Sequence, residues 1–112
     1  MDLSELPPPG DPTAPPAALA WDRFEALARR QGYDTVLVRE WAAGQVTGEH
    51  RHPFDVLAVV AHGGFELTIG PEGAQQRQAL RAGDAFVLAR ELPHAEHYGP
   101  DGATVWVARR SG

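Results

Sequence analysis

The sequence predicts an all-β domain, a sandwich or barrel, preceded by one amphipathic helix. With 112 residues, 43% of them hydrophobic, the chain has the size and apolar content of one domain with a single core. Apolar residues recur with a helical period in one segment, before residue 33. Beyond that segment, short apolar or β-branched runs alternate with turns rich in glycine, proline and aspartate, which is typical of packed antiparallel strands.

The first 32 residues divide into an arm and a helix. Residues 1–16 contain six of the ten prolines and no apolar periodicity, so we expect an extended or disordered arm there. Over residues 17–32 the apolar side chains recur at steps of three and four, at Ala18, Trp21, Phe24, Leu27 and Ala28. This pattern predicts an amphipathic helix that stops at Gly32. It would cover either the outer face of the barrel or a second subunit.

Residues 33–112 form the predicted β-domain. β-Branched residues dominate 35–41, and the apolar run 56–61 is short enough for a strand buried on both faces. His62-Gly63-Gly64 is predicted to break this strand before the next one at 65–69. Further strands are predicted at 77–80, 85–89 and 103–108.

The composition excludes several classes of function. Without cysteine there is neither a disulfide nor a thiolate metal site, and without lysine there is no Schiff-base chemistry. The arginines are scattered and the net charge is −5, so no basic surface for a nucleic-acid backbone is expected. No segment approaches the roughly 20 apolar residues that span a bilayer, and the acidic, proline-broken N-terminus is unlike a signal peptide. We therefore expect a cytoplasmic protein without nucleic-acid or membrane partners.

Three of the five histidines are spaced for a metal site. His50 and His52 are two residues apart, so on a strand both imidazoles project from the same face. His94 follows after a glycine turn, a strand and Pro93, which lets the chain return beside the first pair and offer a third nitrogen. Divalent transition metals bind converging imidazole nitrogens at about 2.0–2.1 Å. No phosphate-binding loop or nucleophile elbow competes with this site.

The two histidine-bearing segments resemble the two motifs of the cupins. The first cupin motif, a glycine-led turn, HxH, a carboxylate and then a glycine, is matched by GEHRHPFD at 48–55 and by Gly63-Gly64. The second motif, a glycine, a strand, a Pro-x-Gly turn and a histidine, is matched over residues 83–94, with Ala89-Arg90-Glu91 in place of Pro-x-Gly. The resemblance covers roughly residues 33–110. It implies a cupin jelly-roll β-barrel with one divalent metal ion held inside its mouth.

The carboxylate of the first motif is the main departure from the cupin pattern. Cupins usually have glutamate there, and this chain has Asp55. Strict strand alternation turns Asp55 away from His50 and His52, although Pro53 can break that alternation. Asp55 is therefore either a fourth metal ligand or a partner of a histidine's second nitrogen or of a substrate.

Four further side chains are candidates for a substrate pocket. Trp41, Phe86 and Trp106 either line the cavity or form plain core. Glu96 shares strand parity with His94, so it either faces the mouth or is solvated. Three residues near the motifs are expected outside the ligand set, Arg51, His62 and His97.

The resemblance leaves three functions open. The first is a metal-dependent enzyme, of the oxygenase, isomerase or decarboxylase type, that acts on a small oxygenated or carboxylate-bearing molecule. The second is a non-catalytic module that binds a small ligand, and the third is a structural homodimer whose metal only holds the barrel together. Zinc, nickel, iron, manganese and copper all suit a histidine-rich site. A homodimer is expected in each case, because the helix and the open edges of a small barrel gain from being covered.

Overall fold

The computed structural model describes residues 17–71 and 75–112, so the predicted arm, residues 1–16, lies outside the described residues. The predicted all-β domain with one N-terminal helix is confirmed. Within the described part, no helix has the length and apolar content needed to cross a bilayer. The elements are α1 (Ala17–Arg30), β1 (Thr35–Trp41), β2 (Asp55–Ile69), β3 (Gln76–Arg81), β4 (Ala85–Leu88) and β5 (His94–Arg110).

All strand pairs are antiparallel, in the order β1-β5-β2-β3, with β4 also paired to β2. The long strands β2 and β5 form the centre, and their register runs from Asp55 opposite Arg110 to Ile69 opposite His94. Because β2 pairs with three other strands along its 15 residues, it links both halves of the sheet. Among the described strands, β2 therefore has the most pairing partners.

The segment His62-Gly63-Gly64 lies within β2, so the prediction that it ends a strand was wrong. The pairing of β2 with β5 shifts register on either side of it, as in a β-bulge. Gly63 has a φ of 72°, and a Cβ there would lie 2.1 Å from the carbonyl oxygen of Gly102. The glycine is therefore required by the close approach of two backbones, and it bends the strand instead of ending it.

Strand β5 begins nine residues earlier than the predicted strand at 103–108. Its first half is polar and contains Gly99 and Pro100, which obscure a strand pattern in the sequence. Backbone hydrogen bonds nevertheless hold it against residues 45–50 on one side and β2 on the other. This first half begins with His94, one of the three histidines of the predicted metal site, so its strand pairing fixes the position of that histidine.

The two faces of the sheet bury separate apolar clusters. The inner cluster lies inside the curved sheet and contains Val56, Ala58, Val60, Phe65, Leu67, Leu80, Leu88, Tyr98, Ala103 and Val105. On the outer face, Leu57, Val59 and Ala108 pack against Phe24 of α1. Burying these side chains removes apolar surface from water, the main favourable term in folding. Of the two predicted roles for the helix, it is the covering of the outer face that the structure shows.

Candidate metal centre

His50 and His94 lie opposite one another across an antiparallel bridge. The backbone N–H of each donates to the carbonyl oxygen of the other, at 2.9 Å in both directions. Residues paired in this way project their side chains to the same side of the sheet. Their imidazole centroids are accordingly 4.3 Å apart. The two motifs, distant in sequence, thus meet at this pair.

His52 completes a cluster of three imidazoles. Its ring centroid is 5.0 Å from that of His50 and 4.8 Å from that of His94. One ring nitrogen from each histidine can be chosen so that all three lie within 4.8 Å of one another. The structure therefore brings together the three histidines that the sequence singled out.

Hydrogen bonds fix which nitrogen is free on two of these rings. His50 Nδ1 lies 2.7 Å from the carbonyl oxygen of Gly48, and His94 Nδ1 lies 2.9 Å from that of Leu92. A carbonyl oxygen only accepts, so Nδ1 carries the proton in both rings. In the tautomer with the proton on Nδ1, the Nε2 atom has a free lone pair, which is the state that binds a metal.

The Nε2 atom of His94 has no hydrogen-bond partner among the described residues, although it is buried. The residue as a whole is 2% exposed. An unpaired buried polar atom costs about 1–3 kcal/mol, and native structures contain few of them. A bound metal ion would give this nitrogen its missing partner.

The surroundings of His52 favour its neutral form. Burial is the main cause that lowers its pKa, and the neighbouring His94 and His50 lower it further. The neutral imidazole is the form that coordinates a metal. His52 is therefore able to coordinate a metal at a lower pH than an exposed histidine.

Glu96 supplies a carboxylate next to the three rings. Its Oε2 atom lies 3.7 Å from His50 Nε2 and accepts a hydrogen bond from the hydroxyl of Thr47. The Glu96 side chain is 12% exposed. Because Glu96 is two residues after His94 on β5, strand alternation aims both side chains into the cavity. Of the two positions that the sequence left open for Glu96, the structure shows the one that faces the cavity, close to His50.

Asp55 is not part of this cluster, which corrects its proposed role as the fourth ligand. Its carboxylate oxygens accept hydrogen bonds from Arg90 and Arg110, at 3.1 Å from the Nη2 atom of each. The bonds from Arg90, then those from Arg110, lower the pKa of Asp55 well below its usual range. Asp55 thus joins the start of β2 to the end of β5 and to the turn before His94.

That turn contains Glu91 with a φ of 65°, in the left-handed region. The backbone N–H of Glu91 donates to the carbonyl oxygen of His52 at 2.7 Å, which ties the turn to the first motif. In the segment that resembles the second cupin motif, Glu91 stands in place of the glycine of Pro-x-Gly. Glu91 therefore adopts, at a cost, a conformation that glycine adopts readily.

A cavity of about 100 Å³ opens beside the histidines. One water molecule needs roughly 10–15 Å³ on this measure, so the cavity holds several waters or one small molecule. The predicted pocket residues Trp41, Phe86 and Glu96 all line it, and Trp41 stacks on Tyr98 with ring centroids 4.9 Å apart. Most of the remaining wall is apolar, formed by Phe54, Val56, Ala58, Phe65, Leu88, Val105 and Val107.

Trp106 does not line the cavity, and its prediction as a pocket residue was wrong. Its neighbours Val105 and Val107 face the cavity, so alternation along β5 turns Trp106 to the outer face. There its ring packs edge-on against Trp21 of α1, with centroids 5.5 Å apart. The other residues predicted outside the ligand set, Arg51, His62 and His97, are exposed and lie outside the histidine cluster.

Two arginines on the cavity wall were missed in the sequence. Arg39 lies on β1 and Arg109 on β5, and both line the cavity. Strand alternation could have identified them, because residues two apart on a strand share a face. Arg39 is two residues from Trp41, which was predicted to line the pocket, and Arg109 is two residues from Val107. Reading every second residue of these strands would have identified both.

No protein-family model matches this chain, and no curated protein sequence matches it. Solved structures do. The oxalate decarboxylase of Bacillus subtilis, a protein with Mn(II) centres, matches with a TM-score of 0.62 and 23% identity over 69% of this chain and 21% of that one. The cupin domain of CENP-C from Drosophila melanogaster matches with a TM-score of 0.59 and 15% identity over 66% of this chain and 59% of that one.

A second CENP-C structure, solved bound to CAL1, gives a TM-score of 0.59 and 15% identity, over 66% of this chain and 60% of that one. The chain thus covers less than two thirds of each of these proteins. At these identities the likeness concerns the fold, and it confirms the cupin jelly-roll expected from the two motifs.

Proposed function

We propose that this cupin-fold chain binds one divalent transition-metal ion through His50, His52 and His94 and acts as a metal-dependent enzyme on a small oxygenated or carboxylate-bearing molecule. The observation that carries the metal site is the buried Nε2 atom of His94, which lacks a partner among the described residues. It belongs to the cluster in which three ring nitrogens lie within 4.8 Å of one another. Three imidazoles suit zinc, nickel, iron, manganese or copper.

The chain's own residues prepare the site for chemistry. The carbonyl oxygens of Gly48 and Leu92 hold the rings of His50 and His94 in the tautomer with a free Nε2. A divalent ion in such a site supplies Lewis acidity, which polarises a carbonyl or lowers the pKa of a bound water. The Glu96 carboxylate, which is largely buried beside His50, is positioned to take a proton from a molecule in the cavity. Apolar side chains around it exclude bulk water and strengthen these interactions.

The alternative is a module that binds a small ligand without converting it. One observation favours it. Among the described residues that line the cavity, Glu96 is the one carboxylate. Catalysis by a separate acid and base would need a second group. The burial of Tyr98 raises its pKa, so its phenol is a poor source of that proton.

The test of the metal site is metal content by plasma mass spectrometry, on protein purified without a histidine tag. We expect close to one metal ion per chain in the wild type and none in His50→Ala or His94→Ala. His62→Ala is the matched control, because His62 is exposed and outside the cluster. A wild-type chain that stays metal-free after incubation with each first-row divalent ion would show the site to be wrong.

Turnover separates the enzyme from the binding module. The metal-loaded chain would be incubated with candidate small acids, with and without dioxygen, and products followed by mass spectrometry. Product that depends on His94 and Glu96 supports the enzyme. Saturable binding without product supports the module.

We further propose that the chain forms a homodimer, which the free edge of β1 favours. In the described sheet β1 is a terminal strand, paired with β5 on one side, and its Val38 is 48% exposed. Such an edge is stabilised when it is covered by a second copy. Light scattering after size exclusion gives the mass directly, and a mass of one chain at micromolar concentration would exclude the dimer.

A further inference from the structure

Two arginine side chains that have no anionic partner among the described residues line the cavity. Arg39 and Arg109 project from the same face of the β1–β5 pair. Among the described residues neither guanidinium forms an ion pair or a hydrogen bond, and each instead lies over an aromatic ring. The Cζ of Arg39 is 5.0 Å from the centroid of Trp41, and that of Arg109 is 4.8 Å from the centroid of Phe54.

The burial of Arg109 makes this lack of a partner significant. Its Nε atom is buried and has no hydrogen-bond partner within the described part of the chain. Burial, followed by the nearby charge of Arg39, lowers the pKa of Arg109. Arg90 and Arg110, by contrast, are both paired with Asp55. The cavity arginines are thus a site of unbalanced positive charge, which an anion would stabilise.

The charge of the whole cavity points the same way. Among the described residues that line it there are two arginines and one glutamate, so, the histidines aside, positive charges outnumber negative ones by one. A divalent ion on the histidines would raise this charge further. Positive charge in a cleft with apolar walls attracts small anions.

Arg109 and His52 contact the same aromatic ring. Phe54 stacks on His52 with centroids 4.8 Å apart, and the guanidinium of Arg109 lies over the same Phe54 ring. Apolar side chains form most of the wall around them. A ligand that reaches both the arginines and the histidines would have an anionic group at the arginine end and an oxygen donor at the histidine end. A short carbon skeleton would join the two groups.

We propose that Arg39 and Arg109 form an anion subsite that binds the carboxylate of a small organic acid whose second oxygen-bearing group faces the three histidines. A planar guanidinium binds a carboxylate through two parallel hydrogen bonds, which accounts for arginine at both positions. The histidine end of this arrangement rests on the proposed function, whereas the arginine end does not.

Isothermal titration calorimetry on the full chain tests the subsite, with the protein both metal-loaded and treated with chelator. The probes are glycolate, malonate, succinate and benzoate, each with its neutral amide, and inorganic phosphate at constant ionic strength. The variants are Arg109→Gln and Arg39→Gln. The control is Arg81→Gln, which removes the same charge at an exposed position outside the cavity. Because Arg39 is exposed at the rim, its variant tests the subsite with little risk to folding.

We expect at least one carboxylate to bind and its amide not to bind. Its affinity should fall about tenfold or more in Arg39→Gln and Arg109→Gln, with metal content unchanged, and stay at the wild-type value in Arg81→Gln. Equal binding of acid and amide, wild-type affinity in both arginine variants, or no binding by any acid would overturn the subsite. Phosphate that binds more tightly than every acid would overturn its assignment to carboxylates.

The two proposals fail separately in this experiment. Arginine-dependent binding of an acid to a chain that takes up no metal would support the subsite and refute the metal site. A metal-loaded chain without any preference for acids over amides would refute the subsite alone.

Discussion

The Oε2 atom of Glu96 lies 3.7 Å from the Nε2 atom of His50, so the carboxylate beside the histidines comes from the strand that follows the second motif. Glu96 is held there by the hydroxyl of Thr47. Asp55 stands at the carboxylate position of the first motif, but its carboxylate forms ion pairs with Arg90 and Arg110. In this chain the carboxylate beside the histidines is therefore that of Glu96, and Asp55 is paired elsewhere.

Glu96→Gln is expected to weaken metal binding by about 10–100-fold, because a charged group next to the ligands is replaced by a neutral one of the same shape. The amide oxygen can still accept the hydrogen bond from Thr47, so the fold should be retained. Metal affinity by competition with a chromophoric chelator measures the effect. Glu66→Gln is the control, since Glu66 is exposed on β2 outside the cavity. Unchanged affinity in Glu96→Gln would remove Glu96 from the metal site.

Metal ions are expected to raise the midpoint of thermal unfolding. A ligand that binds only the folded chain adds about 2.7 kcal/mol at a hundredfold excess over its dissociation constant. For a domain of this size that corresponds to a rise of roughly 10 °C. The rise should vanish in His52→Ala and persist in His97→Ala, because His97 is exposed and outside the cluster. Calorimetry with and without chelator gives both values, and an equal rise in the two variants would contradict the site.

Asp55→Asn is expected to lower stability at neutral pH and to leave metal content unchanged. The pKa of Asp55 is lowered in the folded chain, chiefly by hydrogen bonds from Arg90. Its stabilising contribution is therefore complete above the usual aspartate pKa of about 3.9 and is lost as the pH falls towards the lower value. Urea midpoints measured from pH 7 down to acid pH should converge for variant and wild type.

The exposed Asp101, which forms none of the ion pairs described above, provides the control. Asp101→Asn should leave the urea midpoint at pH 7 near the wild-type value. If Asp55→Asn instead lost the metal and kept its stability, Asp55 would be a ligand after all.

Glu91→Gly is expected to stabilise the chain by up to about 1 kcal/mol. A side chain in the left-handed region costs roughly 1–2 kcal/mol, part of which glycine gives back through the greater freedom of the unfolded chain. The backbone N–H that bonds to His52 is kept. Urea unfolding measures the gain. Glu49→Gly, at an exposed position with negative φ, should not stabilise, and an equal gain there would refute the explanation.

Gly63→Ala is expected to destabilise the chain by about 3 kcal/mol or more. The added Cβ would lie 2.1 Å from the carbonyl oxygen of Gly102, and backbone has little room to move. Gly44→Ala is the matched control, because Gly44 also has positive φ but has nothing within 4 Å of an added Cβ. Gly44→Ala should lower the free energy of unfolding by about 1 kcal/mol, because only the positive φ is unfavourable for alanine there. Equal losses in urea unfolding would show that the two backbones do not meet closely at the bulge.

Much of the fold could be predicted because its signals are local. The period of α1 and the apolar runs of β1, β2 and β4 lie in short windows of sequence. The bulge at His62-Gly63-Gly64 could not be predicted, since glycine marks both a turn and a close contact, and only the position of Gly102 decides between them. The polar first half of β5 was missed because its partners, not its composition, hold it in a strand.

The candidate site divides in the same way. His50, His52 and His94 follow from spacing and from the motif resemblance, whereas strand parity left Glu96 either facing the mouth or solvated. The role of Asp55 as a fourth ligand could not be decided from the sequence, because its carboxylate accepts hydrogen bonds from Arg90 and Arg110, which are distant in sequence. Trp106 was assigned by residue type, although the alternation of Val105 and Val107 already turned it to the other face.

The pairing of β2 with β5 also governs how fast the chain can fold. Its register joins residues as distant as Asp55 and Arg110, so a long loop must close before these contacts stabilise anything. Until then His50 and His52 stand as a local pair without His94, and the apolar run of β2 has no covering strand. A complete set of three ligands therefore exists only after the slow, non-local step, and tight metal uptake during refolding would report that this step is finished.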